Sequence, residues 1–212
     1  MSGIHDQRFP NESASYRSAR NRLLRAELAL RRRIEKIAAM RRELPAGGAV
    51  PEDYVFEAGD PPHRVRLSEL FGSHDTLVAY SFMYAPNMAR ACPMAASMLD
   101  GLDGNAPHIA QRTGLVVIAK SPIGRILGFA RGRGWRHLRL LSSAANTYNR
   151  YYHGEGPDGA QWPMLNVFVR RRGKVRHFYG SELLFTKAEP GQNNRHVDLI
   201  WPLWNLLDLT PE

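Results

Sequence analysis

One side chain in this 212-residue chain stands out for chemistry, the single cysteine, Cys92. It follows a near-continuous apolar run, Thr76–Tyr84, and a short loop, Ala85–Ala91, and it precedes Pro93, a residue suited to the first position of a helix. Unpaired backbone N–H groups and the dipole of a helix N-terminus favour an anion there. A thiol in that place therefore ionises more readily than a free one, and the thiolate is the nucleophile. Arg90, two residues earlier, adds positive potential. The competing reading is a small buried hydrophobe, the ordinary fate of a free cysteine.

Other chemistry finds less support. The eight histidines are scattered without paired ligand spacing, and one cysteine cannot build a structural zinc site, so neither metal nor cofactor is expected. Gly132-x-Gly134 follows a helical stretch and not a strand, which disqualifies it as a dinucleotide fingerprint. Tyr148, Tyr151, Tyr152 and His153 form an aromatic, polar cluster, expected to pack on its own body in preference to lining a cleft.

The elements that position Cys92 can be read from periodicity. Residues 1–13 are polar and expected to be disordered. From 14 to 44 there is no Gly or Pro, and Tyr16, Leu23, Leu30, Ile37 and Leu44 recur every seven residues, predicting a helix with one apolar stripe. Residues 45–52 read as a linker, and 53–212 as one domain. Within it, strands are predicted at 53–57, 63–67, 76–84, 114–120, 137–141, 164–170 and 174–179. Helices are predicted at 93–103, after Ser121-Pro122, and within 193–208. The order β-α-β-α-β-β-α with a late hairpin predicts an α/β fold: a thioredoxin-like central mixed sheet with helices on both faces, behind a long N-terminal helix.

Several local motifs then resemble one family. They are Tyr84-Ala85-Pro86-Asn87, Cys92-Pro93-Met94, Trp135-Arg136, Ser142-Ser143 with Asn146–Tyr148, and the ending Asn205–Pro211. Together with Arg41–Pro45 they resemble an uncharacterised bacterial family of thioredoxin-like proteins, a domain of unknown function related to the alkyl hydroperoxide reductase and thiol-specific antioxidant group. The resemblance runs over nearly the whole chain. It implies the fold, and it implies a cis proline facing the thiol, for which Pro163, just ahead of a hairpin strand, is the candidate. A trans proline opening an edge strand is the plain alternative.

The resemblance also marks a departure. Members commonly carry Cys-Pro-x-Cys, and here the second position is Ala95. With no resolving thiol the chain cannot close an internal disulfide, which rules out a dithiol reductase. The peroxiredoxin pattern Pro-x-x-x-Thr/Ser-x-x-Cys is missing as well, because Pro86 lies six residues before Cys92 with no Ser or Thr between them. What is left is a one-thiol route: Cys92 attacks a peroxide or a disulfide, and an external thiol resolves the product. Tyr84, Pro86, Arg90, Pro93, Trp162 and Pro163 are the candidate groove and thiol environment. The rival reading is a non-catalytic interaction module that kept the fold and dimerises through helix 14–44.

Charge bears on partners. Ten Arg or Lys against three Glu place +7 of the net +9 within residues 14–44, leaving a nearly neutral body. That segment has no DNA-binding motif or interleaved stacking aromatics, so a solvated face beside an apolar seam is favoured over nucleic-acid binding. A body of about 160 residues is too small to cover so long a stripe, and a second copy is the simplest cover, so a homodimer is expected. No apolar run reaches the ~18–20 residues that span a bilayer, and no secretory signal is evident at the N-terminus. A lone cysteine fits a reducing compartment, and a cytoplasmic location is expected.

Overall fold

The computed structural model describes residues 4–191 and 196–210, and the chain divides into two compact units at Pro45. The first contains α1, Ala14–Arg42, opened by Ser13, whose side chain accepts the Tyr16 N–H at 3.1 Å. The helix stops two residues short of the expected 44, where Glu43 takes the cap position ahead of Pro45. Arg41 and Arg42 complete its last turn, where the dipole favours cations. No residue of α1 is buried, and Leu23 and Leu30 of its stripe are 51% and 61% exposed.

The second unit is built on one seven-stranded sheet in the order β2-β1-β5-β4-β3-β6-β7. Its strands are β1 (Val55–Ala58), β2 (His63–Arg66), β3 (Thr76–Phe82), β4 (Gly114–Ala119), β5 (Leu140–Ser142), β6 (Leu165–Arg171) and β7 (Lys174–Gly180). The inner three, β3, β4 and β5, run parallel, and every other pairing is antiparallel. Parallel strands buried on both faces read as continuous apolar runs. Thr76–Phe82 and Gly114–Ala119 are such runs, and both were recognisable for that reason.

The sheet separates two cores. Tyr80 and Phe82 of β3 and Val117 and Ala119 of β4 face α2 (Pro93–Ile109) and α3 (Ile123–Arg133). Leu77, Ala79, Val116 and Ile118 face the other way, onto Tyr54, Leu67, Leu70, Phe71 and Tyr148 of the short α4 (Tyr148–Tyr151). The alternation is the period-2 geometry of a strand. Helix α2 runs six residues beyond the predicted 103, because its buried side continues through Leu102, Asp103 and Ala106. The last helix, α5 (Pro202–Leu207), begins at Pro202, the residue that limits it. Part of the segment predicted for it, 193–195, lies outside the described residues.

The stretch read as a linker is partly ordered along the sheet. Gly47 N–H donates to His177 O, His177 N–H to Gly48 O, and Val50 N–H to Val175 O, all at 2.9–3.0 Å. Residues 47–50 thus cover the β7 edge, whose backbone groups would otherwise be a template for pairing.

Candidate functional site: the Cys92 loop

β3 ends at Phe82, and the chain turns over Tyr84–Ala91 before α2 begins. Cys92 is the residue capping α2, in extended geometry (φ −60°, ψ 121°). Its N–H donates to Met83 O at 3.1 Å and its carbonyl accepts the Ala96 N–H at 3.0 Å, so the backbone is held at both ends. The sulfur makes no capping hydrogen bond, and Pro93 brings no N–H to the first turn. Cys92 is half-buried and lies against the core on the α2 side. Cys92 therefore sits half-buried at a helix start whose amides are not taken by its own side chain. Beneath it, burial pushes the Tyr80 phenol far up, and the charge of a Cys92 thiolate adds to that, so Tyr80 stays neutral.

The loop is fastened by a residue that the sequence did not single out. Arg125 of α3 donates to the carbonyls of Ala85 (3.0 Å), Pro86 (2.9 Å) and Met88, and its guanidinium stacks 4.4 Å over the Tyr84 ring. Tyr84 also accepts the Ser121 N–H at 2.9 Å, and Ala85 N–H points at the Met88 sulfur at 3.3 Å. The legible signal was that Arg125 is the one charge between Ser121 and Ala130, on the helix that packs against the loop.

Of the candidate residues, Tyr84, Pro86, Cys92 and Pro93 share this loop. Tyr84 is buried, whereas Pro86 and Pro93 are exposed. Arg90 is exposed and makes no ion pair among the described residues. Ala95 is 4% exposed, part of the buried side of α2.

Trp162 and Pro163 lead into β6. Ser81 N–H donates to Met164 O at 2.8 Å, which lays this approach beside the end of β3. The Trp162 ring, however, packs on Phe185, centroids 5.4 Å apart. The expected cis bond is corrected: Trp162–Pro163 is trans, and the only cis peptide among the described residues is Asp60–Pro61. Met164 N–H bonds to Trp162 O at 3.0 Å across Pro163, a three-residue turn. That turn needs the Trp162 carbonyl on the same side as the Pro163 Cα, which a trans bond provides and a cis bond does not.

The remaining motifs hold the scaffold together. Trp135 Nε1 donates to Asp100 at 2.8 Å, and Asp100 also pairs with Arg133. Asp103 accepts the N–H groups of Arg136, His137 and Leu138 at 2.9–3.1 Å. Burial opposes its charge, but those three backbone donors outweigh it and hold the carboxyl below its usual range. Ser142 Oγ donates to Ser121 O at 2.7 Å, Ser143 Oγ to Asn149 Oδ1 at 3.0 Å, and Asn146 Nδ2 to Val55 O at 2.7 Å. The described residues contain no group of three or more His, Cys, Asp or Glu able to hold a metal ion, and no helix long and apolar enough to cross a membrane.

Among solved structures, the fold is similar to that of AhpC from Enterococcus faecalis. The TM-score is 0.51 at 8% identity, over 79% of this chain and 96% of that one. The peroxidoxin BcpB from Mycobacterium tuberculosis aligns with TM-score 0.47 at 19% identity, over 78% and 99%. The reduced 2-Cys peroxiredoxin from Plasmodium vivax aligns with 0.49 at 15%, over 77% and 96%. At these identities the likeness is one of thioredoxin-like fold. Comparison with curated proteins gives no match. Residues 6–212 match the family described as bacterial protein of unknown function (DUF899), and the chain belongs to that family.

Proposed function

We propose that the protein is a thiol-dependent oxidoreductase working through Cys92 alone. The observation that carries this is a half-buried cysteine capping α2, its backbone held by hydrogen bonds at both ends, with a sulfur that makes no capping hydrogen bond. The Cys92 thiolate attacks the terminal oxygen of a hydroperoxide. A sulfur–oxygen bond forms, the O–O bond breaks, and the alkoxide leaves with a proton as the alcohol. The resulting sulfenic acid condenses with an external thiol, releasing water and leaving a mixed disulfide, which a second external thiol reduces. A disulfide substrate enters at the mixed-disulfide stage. A second cysteine is never needed, which suits Ala95. Pro86, Arg90 and Pro93 are assigned to the exposed rim on the loop side and Tyr84 to the buried support under it, whereas Trp162, whose ring packs on Phe185, and Pro163 lead into β6 and are not assigned to this rim. A reducing cytoplasm supplies the external thiol.

The test is sulfenic-acid trapping. The native protein is treated with stoichiometric hydrogen peroxide and dimedone, and intact mass is read. One adduct mapping to Cys92 is expected, and none in Cys92→Ser. A thiol that is modified only after unfolding would remove the proposal.

The exposed stripe of α1 favours a second reading alongside the first, an interaction module that pairs two copies through this helix. Leaving several Leu and Ile side chains in water forgoes roughly 1.5–3 kcal/mol each, and a self-complementary patch on a second copy recovers it.

A further inference from the structure

The sheet face opposite Cys92 carries a separate cavity of about 520 Å³. Leu165 of β6 packs on the Cys92 side, while Asn166 and Phe168 project from the other. There His177 of β7 stacks on Tyr152 (centroids 5.7 Å) and abuts Phe168. Asn166 Nδ2 donates to Tyr152 O at 2.9 Å, so its Oδ1 faces His177 Nε2, also at 2.9 Å. Nε2 therefore carries the proton. Nδ1 is an acceptor lone pair with no partner among the described residues.

Burial lowers the His177 pKa, against an opposing pull from Glu182 and with a push from His153, which keeps the ring neutral. Glu182 lines the same cavity and is its one carboxylate. It makes no ion pair among the described residues. Tyr151, Tyr152 and Phe185 supply ring surface, and His153 is edge-on to Phe185 at 5.3 Å. His153 sits at φ +56°, a conformation that side chains other than glycine rarely adopt without local compensation.

An unpaired carboxylate, aromatic faces and a neutral ring nitrogen that can only accept suit a positively charged hydrogen-bond donor and repel an anion. We propose that this cavity binds a small organic cation bearing N–H groups, of the primary-amine class, with Glu182 as counter-charge and His177 Nδ1 as acceptor. The site lies on the other side of the sheet from the thiol and is independent of thiol chemistry.

The test uses full-length protein at neutral pH and three matched probes, benzylammonium, benzyl alcohol and benzoate, followed by amide NMR shifts. Benzylammonium is expected to give saturable shifts centred on Gly48, Ala49 and His177, binding at least about tenfold more tightly than benzyl alcohol, with benzoate weaker still. Glu182→Gln, at an exposed position, should remove that preference while leaving benzyl alcohol unchanged. Cys92→Ser should bind benzylammonium as the native protein does, even where it has lost all reaction with peroxide. Equal binding of the three probes, no saturable binding, shifts elsewhere, or an unchanged preference in Glu182→Gln would each overturn the proposal.

Discussion

Arg125 fastens the loop that leads into Cys92. Its guanidinium ties three consecutive-turn carbonyls and the Tyr84 ring to α3, a planar fork that lysine cannot reproduce. In Arg125→Ala, amide exchange over residues 84–91 should rise at least about tenfold while the strands of the sheet stay protected. Alkylation of Cys92 should change in the same variant, and Arg125→Lys should restore neither property fully. Unchanged exchange across the loop would show that the clamp is incidental. Cys92 itself was readable from sequence because strand, loop, cysteine and proline follow in order. Arg125 stood out only as the one charge between Ser121 and Ala130, and an arginine on a short helix has no pattern that announces which carbonyls it will reach. Pro163 misled for a related reason: its place in the chain is visible, but the bond geometry is decided by the Met164–Trp162 turn, a contact of the folded backbone.

At the level of elements, the junction between α2 and β5 rests on Asp100 and Asp103, three residues apart on α2. Asp103 is 8% exposed and supplies acceptors to three successive backbone N–H groups. Asp103→Asn places a donor against donors, and a loss of roughly 1–3 kcal/mol in denaturant unfolding is expected. The folded carboxyl titrates below its unfolded value, so its contribution is present above about pH 4. It is lost as pH falls through the folded value. The acid limb of the stability curve should accordingly be shallower in Asp103→Asn. Equal stability of the two proteins from pH 7 to pH 3 would contradict this.

The succession of elements along the chain was legible in the sequence, and so were the two buried strands β3 and β4, since full burial leaves a continuous apolar run; the order of the strands within the sheet was not. The true length of α2 was hidden by Gly101, Gly104 and Pro107, which argue against helix locally, while Leu102 and Ala106 packing on the sheet prevails. The short segment 47–50 looked like a linker because its pairing with β7 rests on backbone groups of 47–50, joined by one side-chain bond from Arg176 to Gly47 O, and neither leaves an alternating pattern in residue type.

For the whole molecule, the sheet unit carries a half-buried cysteine on one face and an aromatic cavity on the other, and the separate N-terminal unit is a basic helix with an exposed apolar stripe. Removing residues 1–44 should convert a dimer into a monomer in sedimentation at micromolar concentration. A full-length monomer under the same conditions would end the dimer reading, and it would leave the thiol chemistry untouched. That chemistry is tested most directly by competition. Reduced protein and an equal concentration of free cysteine are given a limiting amount of hydrogen peroxide at pH 7, and the products are counted by mass spectrometry. The account predicts that Cys92 takes the oxidant in preference by at least about tenfold, because its sulfur stands at a helix start and makes no capping hydrogen bond there. Oxidation of free cysteine to the same or a greater extent than Cys92 would contradict it.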